Sequence, residues 1–202
     1  MYVVFSRDLT ANSIPHKEIL RYMRAYEITD GILQSVSDGE KLVLESASCR
    51  ACWIRVDIKK LSENSLILGN IEIVSVDLSK RLSECGSAFI FAVTAGVGVD
   101  RVIRASEVKS PLLALSCDAA GSALVEELCD VINHELSELA QKEGKQTTKR
   151  FSVGYGDLSL EYQKDICSLL DTSKNIGASL TDGIMMAPSK TVTAIVGITN
   201  NN

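Results

Sequence analysis

The sequence has little of several features that would point to a particular kind of partner. Lys and Arg total 21 against 26 Asp and Glu, and no stretch concentrates the basic residues. Nucleic-acid-binding surfaces need such a concentration, so the net charge of −5 argues against DNA or RNA as a partner. No apolar run reaches the roughly 20 residues that span a bilayer, and the first ten residues lack the pattern of a signal peptide. These absences predict a cytoplasmic protein that does not enter a membrane.

Potential metal ligands are also scarce. The two histidines, His16 and His134, have no second ligand at a usual metal-binding spacing. Cys49 and Cys52 form one CxxC pair without a second pair, whereas structural zinc needs four ligands. Redox use of the pair is an alternative, but the strand-like residues 53–58 that follow favour buried structural thiols. We therefore predict free thiols and no metal site.

The spacing of apolar residues predicts an α+β fold in which helices surround mixed or antiparallel strands. Helices are predicted to start at Ser13 and Ser110 and to cover residues 30–45, 78–85 and 159–170, and strands to cover 53–58, 66–74, 88–94, 176–180, 183–186 and 191–198. Residues 141–149 are polar and are predicted to form a loop. The 202 residues fit one domain, and no internal repeat or linker divides them.

One glycine-rich motif could indicate nucleotide binding. Residues 94–100 read TAGVGVD directly after a predicted apolar strand, and Asp118 follows at about the spacing of a ribose-binding acid. The third glycine of the fingerprint is missing, because Asp100 stands near its position. A plain turn is the alternative interpretation. A binding turn would make the chain an independent methyltransferase, and that function requires a parallel, doubly wound sheet.

The segment KRFSVGYGD, residues 149–157, combines groups suited to a zwitterionic, aromatic ligand. The guanidinium of Arg150 can hold a carboxylate through two hydrogen bonds. Glycines allow a ligand to approach the backbone, whose NH and CO groups can bind an adenine edge. Tyr155 offers an aromatic face that attracts a cation such as a sulfonium. We predict that residues 150–155 are extended and line a concave surface with Glu127 nearby, and a plain glycine-containing loop is the alternative interpretation.

At these residues the sequence resembles the reactivation domain of cobalamin-dependent methionine synthase, above all its stand-alone versions. The resemblance is strongest over residues 110–198. It rests on Arg150, Gly154-Tyr155-Gly156-Asp157, Gln163, residues 176–181, Met186, Pro188, residues 191–194 and the upstream helical segment 118–128. It implies a C-shaped α+β domain with helices around a central antiparallel sheet, which binds S-adenosylmethionine across its inner surface.

The resemblance also implies residue roles. Arg150 would hold the ligand carboxylate, Ser152 and Gly154 would present backbone to the adenosyl group, and Tyr155 would face the cobalamin. Glu127, on the long helix, matches an acidic position near the ligand.

The implied activity is repair of a partner protein. S-adenosylmethionine supplies a methyl group, and a reduced flavodoxin-like protein supplies an electron, to convert inactive cob(II)alamin into methylcobalamin. The chain lacks the DxHxxG signature that provides a cobalt-binding histidine, so cobalamin would be held by a separate cobalamin-binding methyltransferase or corrinoid protein. On this hypothesis the chain is a component of a methyltransferase activity and is not catalytic alone. The alternatives are the independent methyltransferase and a non-catalytic interaction subunit.

Overall fold

The structure is a computed structural model that describes residues 2–200, with only the backbone of Asn200 described. The helices are α1 (His16–Met23), α2 (Asp30–Ser46), α3 (Val76–Arg81), α4 (Val97–Lys109), α5 (Pro111–Lys142), α6 (Gln163–Leu170) and α7 (Thr172–Ile176), with a 3-10 turn at Leu160–Tyr162. The strands are β1 (Phe5–Asp8), β2 (Arg50–Lys60), β3 (Ser65–Leu68), β4 (Ile71–Val74), β5 (Cys85–Thr94), β6 (Lys145–Thr147), β7 (Ser179–Leu180), β8 (Met186–Ala187) and β9 (Thr191–Asn200).

Seven strands form a central antiparallel sheet in the order β4-β3-β2-β5-β9-β6, and β1 also pairs with β2. Strands β7 and β8 form a separate short hairpin. The prediction of an α+β domain with helices around an antiparallel sheet is confirmed. The parallel, doubly wound sheet that the independent-methyltransferase hypothesis required is therefore excluded.

Both faces of the sheet are covered by apolar side chains. Side chains alternate across a strand, so Phe89 and Phe91 of β5 pack against α1, α2, α4 and α5, while Ala88 and Ile90 pack against α3, α6 and α7. A strand that is buried on both faces needs an almost continuous apolar run, which is what β5 has. The sheet and its two helical layers make one domain with a core on each side.

The predicted cysteine pair is divided between these cores. Cys49 packs with Ala51 in the core on the α5 side, whereas Cys52 packs with Ile54 in the opposite core. Both are buried free thiols, as predicted. Since the sheet separates their side chains, the two sulfurs cannot bind one metal ion or form a disulfide with each other in this fold.

Several predicted boundaries were wrong for local reasons. The single strand predicted over 66–74 is two strands, because Gly69, at φ +63°, makes a tight turn between them. The predicted strand 176–180 begins with the end of helix α7, and only Ser179–Leu180 is strand. Helix α1 begins at His16 and is not capped by Ser13. The strand β1 and the helix α4 were not predicted.

No helix among residues 2–200 is both long and apolar enough to cross a membrane. The longest, α5, has Ser110 as its N-cap and buries one face against α1, α2 and α4.

Candidate functional site

A cleft of about 540 Å³ lies at the free edge of the sheet, where the chain enters β9. Its wall contains Glu126 of α5 and residues from three segments around the sheet edge. These are Arg150, Phe151, Ser152, Val153, Tyr155, Leu160 and Gln163, then Ile184, Met185, Met186 and Ser189, and finally Thr191, Val192 and Thr193. The sequence pattern at residues 150–155 thus marks the wall of a concave surface, as predicted.

The chain is extended only for the first part of that segment. The Phe151 amide donates to the carbonyl of Ile195 at 2.9 Å, and the Ile195 amide donates back at 2.8 Å, so Phe151 continues the sheet beside β9. From Val153 onward the chain turns away from the sheet, with Gly154 at φ +83° and Gly156 at φ +56°. The predicted extended conformation is therefore correct to Ser152 and wrong beyond it, because the two glycines adopt left-handed conformations.

This departure leaves part of the β9 edge open. Peptide groups along a strand point to alternate edges, and those of Ile195 point towards Phe151. The NH and CO groups of Thr193 and Thr191, which lie two and four residues before Ile195, therefore point to the same edge and into the cleft. The cleft thus offers backbone donors and acceptors on one side.

Arg150 lies at the α5 end of the cleft between two carboxylates. It donates to Glu126 Oε2 and to Asp130 Oδ1, each at 2.6 Å, and 28% of its side chain is exposed. Glu126 and Asp130 are one helical turn apart on α5, so both face the same guanidinium. These three groups carry a net charge of −1. The cluster can bind both an ammonium and a carboxylate if both lie on one ligand.

The other predicted residues are placed as follows. Ser152 and Tyr155 line the cleft, and Tyr155 is 68% exposed. Gly154 lies between them in the turn but is not itself part of the lining. Glu127 is exposed on α5 and does not line the cleft, whereas its neighbour Glu126 does.

Two groups that the sequence did not single out as site residues hold the segments around the cleft; Gln163 lines the cleft and Asp100 does not. Gln163 is buried at the start of α6; its Oε1 accepts from Thr193 Oγ1 at 3.0 Å, and its Nε2 donates to Met186 Sδ at 3.3 Å. Asp100 accepts from the amide and hydroxyl of Ser189 at 2.9 and 2.7 Å, and so ties the loop before β9 to α4.

The TAGVGVD motif serves packing between α2 and α4. A Cβ atom at Gly98 would lie 1.9 Å from the carbonyl oxygen of Ser46, and one at Gly96 would lie 2.8 Å from that of Ser48. The close approach of the two helices therefore accounts for both glycines without a bound nucleotide. Asp118, the candidate ribose-binding acid, accepts a hydrogen bond from Lys190 at 2.8 Å. The motif thus has a structural role, as the alternative interpretation held, but only Ala95 and Gly96 form the turn and residues 97–100 are the start of α4.

No cluster of three or more His, Cys, Asp or Glu side chains that could hold a metal ion occurs within residues 2–200.

The fold is that of an α+β domain whose antiparallel sheet carries helices on both faces. Comparison with solved structures finds a similar fold in the MetH reactivation domain bound to AdoHcy, with a TM-score of 0.71. The two share 13% sequence identity over 96% of this chain and 78% of that one. No protein-family model and no curated protein sequence matches the chain. The similarity shows that the chain has the fold of that domain.

Proposed function

We propose that this chain binds S-adenosylmethionine in the cleft and serves as a reactivation module for a separate cobalamin-binding methyltransferase or corrinoid protein. The observation that carries the proposal is the position of Arg150, which lies at a cleft next to Ser152 and Tyr155. The similar fold of a reactivation domain that is bound to AdoHcy supports it.

The charges at the α5 end suit the amino-acid part of the ligand. Its carboxylate would pair with Arg150, and its ammonium would pair with Glu126 or Asp130, which already contact that guanidinium. S-adenosylmethionine carries a net charge of +1 because of its sulfonium, opposite to the net −1 of the three side chains.

The adenosyl part would lie along the open edge of β9. Backbone groups of Ser152 and Gly154 on one side, and of Thr191 and Thr193 on the other, can pair with a planar base. Tyr155 is exposed at the cleft, where its ring can face both the sulfonium and a docked partner. Glu127 lies one residue from the cleft wall, and in this proposal Glu126 is the acidic group that contacts the ligand.

The methyl group would pass to a corrinoid on another protein, with S-adenosylhomocysteine as the product. The partner would hold the cobalamin, and a flavodoxin-like protein would provide the electron that the repair of cob(II)alamin needs. The chain itself contributes binding and orientation of the methyl donor.

Arg150 variants test the site. Arg150→Ala should weaken S-adenosylmethionine binding about 30- to 1000-fold if the ion pair is desolvated, which corresponds to about 2–4 kcal/mol. Arg150→Lys keeps the charge but loses the planar two-donor geometry, so it should also weaken binding, though less. Calorimetric titration of the three proteins measures both effects.

Methylthioadenosine is the matched control ligand, because it lacks the amino-acid arm. It should bind the unaltered protein poorly and Arg150→Ala about equally poorly. Melting curves should show that both variants stay folded, since Arg150 lies outside the two apolar cores. If Arg150→Ala binds S-adenosylmethionine as tightly as the unaltered protein, the assignment of the site is wrong.

A second candidate function is an interaction subunit that binds no ligand. The pairing of Arg150 with two carboxylates favours it, because a guanidinium already satisfied on α5 needs no ligand carboxylate. The same titration separates the two candidates: no heat from S-adenosylmethionine or S-adenosylhomocysteine at millimolar concentration would support the subunit.

A further inference from the structure

The loop that carries Gly154 and Tyr155 is tied to helix α3 by one carboxylate. Asp157 Oδ2 accepts from the Val76 amide at 2.6 Å. Its Oδ1 accepts from the hydroxyl of Ser75 at 2.5 Å and from the Asp77 amide at 3.2 Å. The first amides of a helix have no acceptor within the helix, so a carboxylate from elsewhere in the chain can bind them. Asp157 therefore fixes the end of the loop to the body of the domain.

Tyr155 is positioned through the backbone of its loop. Its side chain is 68% exposed, so apolar packing does not hold it. Within the loop, the Gly154 amide donates to the Leu158 carbonyl at 2.8 Å and the Leu158 amide donates to the Tyr155 carbonyl at 3.1 Å. Val153 and Leu158 are buried at the two ends of the turn. The turn is thus closed on itself, and Asp157 provides its polar attachment to α3.

Gly156, the residue before Asp157, lets the loop lie close to α3. A Cβ atom at Gly156 would lie 2.1 Å from Asp77 Oδ2, and its φ of +56° is also unfavourable for other residues. The Ser75 hydroxyl joins the two segments, since it donates to Asp157 and accepts from the Leu78 amide at 3.0 Å. The loop and the start of α3 are therefore built as one unit.

We propose that Asp157 is a positioning residue for ligand binding, which acts by holding Gly154 and Tyr155 against the cleft from the start of α3. The proposal rests on the proposed function, because the ligand is the one that the cleft would bind. A carboxylate suits this role better than an amide, because its two oxygens accept all three hydrogen bonds and its charge is favourable beside a helix start. In agreement, the Ser75 hydrogen bond, followed by those from the two amides, lowers the pKa of Asp157.

The test compares Asp157→Ala and Asp157→Asn with the unaltered protein, using S-adenosylhomocysteine as the probe. Loss of a helix-capping group usually changes an equilibrium by about 3- to 30-fold, so Asp157→Ala should bind that much more weakly. Asp157→Asn keeps one acceptor oxygen and should lose less. Glu143→Gln is the matched control, because Glu143 is also a hydrogen-bonded surface carboxylate with a lowered pKa, but its partners are Arg55 and Lys145 and not the loop or α3.

Amide hydrogen exchange gives a second, ligand-independent readout. In Asp157→Ala, exchange at Gly154 and Leu158 should accelerate while the amides of β5 and β9 keep their protection. Unchanged affinity in Asp157→Ala would overturn the proposal, and so would accelerated exchange spread evenly over the whole domain. If the unaltered protein fails to bind the probe, the proposed function fails first, and local exchange still decides whether Asp157 holds the loop.

Discussion

Substitution of Gly98 by alanine should destabilise the protein, against the usual preference of helices for alanine. Gly98 is the second residue of α4, where alanine would ordinarily be favoured by up to about 1 kcal/mol. Its added Cβ would lie 1.9 Å from the carbonyl oxygen of Ser46. This oxygen belongs to the backbone at the end of α2, so it cannot rotate away as a flexible side chain could. To remove this clash, α4 must move by more than an ångström relative to α2.

The expected magnitude follows from overpacking of a close contact, which costs about 1–3 kcal/mol. For a chain of this size each kcal/mol lowers the melting temperature by about 2–4 °C, so Gly98→Ala should melt about 2–12 °C lower. Gly31 provides a matched control, because it is the second residue of α2 and its added Cβ would meet only Thr29 Oγ1, at 3.9 Å. Gly31→Ala should melt at the same temperature as the unaltered protein or slightly higher.

Thermal unfolding of the three proteins by circular dichroism measures both shifts. If Gly98→Ala melts at or above the unaltered protein, the glycines of TAGVGVD are not required by packing. The conclusion that this motif is a structural turn would then lose its support.

Two further predictions concern ionisable groups away from the cleft. Arg55, through its hydrogen bonds to the carboxylate, and then Lys145 lower the pKa of Glu143 from 4.5 to about 2. Because the folded-state pKa is depressed, the stabilisation is present above pH 4.5 and is lost as the pH falls towards 2. Glu143→Gln should therefore be less stable than the unaltered protein in urea at pH 7, and the difference should shrink as the pH falls below 4.5; a constant difference would contradict this. Burial raises the pKa values of Cys52 and Cys129 to about 12, and all six cysteines are buried. An aromatic disulfide reagent at pH 8 should therefore label the thiols slowly until denaturant is added, whereas rapid labelling of either cysteine in the folded protein would refute their burial.

The sheet was predictable where apolar residues follow a clear period. The alternation of Ile54, Val56 and Ile58 with polar neighbours and the apolar run before Thr94 led to strands that the structure contains as β2 and β5. The strand β1 was not predicted. All four of its residues are exposed, so no apolar pattern marks it, and its strand conformation comes from pairing with β2. The helix α4 was missed because its start looked like a glycine-rich turn.

The candidate site was predictable in its chemistry but not in its geometry. Arg150, glycine and Tyr155 in one short segment have the chemistry that suits a zwitterionic, aromatic ligand, and Arg150 and Tyr155 line the cleft. The sequence could not show which acidic residue of α5 faces Arg150, since that depends on the rotation of the helix. The structure selects Glu126 and Asp130 as the carboxylates that contact the guanidinium. It also reveals the attachment of Asp157 to α3, a contact between residues 80 positions apart that no local pattern encodes.

The most direct test of the account is a crystal structure of the unaltered protein with S-adenosylhomocysteine at saturating concentration. The account predicts the ligand in the cleft, with its carboxylate within hydrogen-bonding distance of the Arg150 guanidinium and its base beside the open edge of β9. A ligand bound elsewhere on the surface, or an empty cleft in which Arg150 keeps only Glu126 and Asp130 as partners, would contradict it.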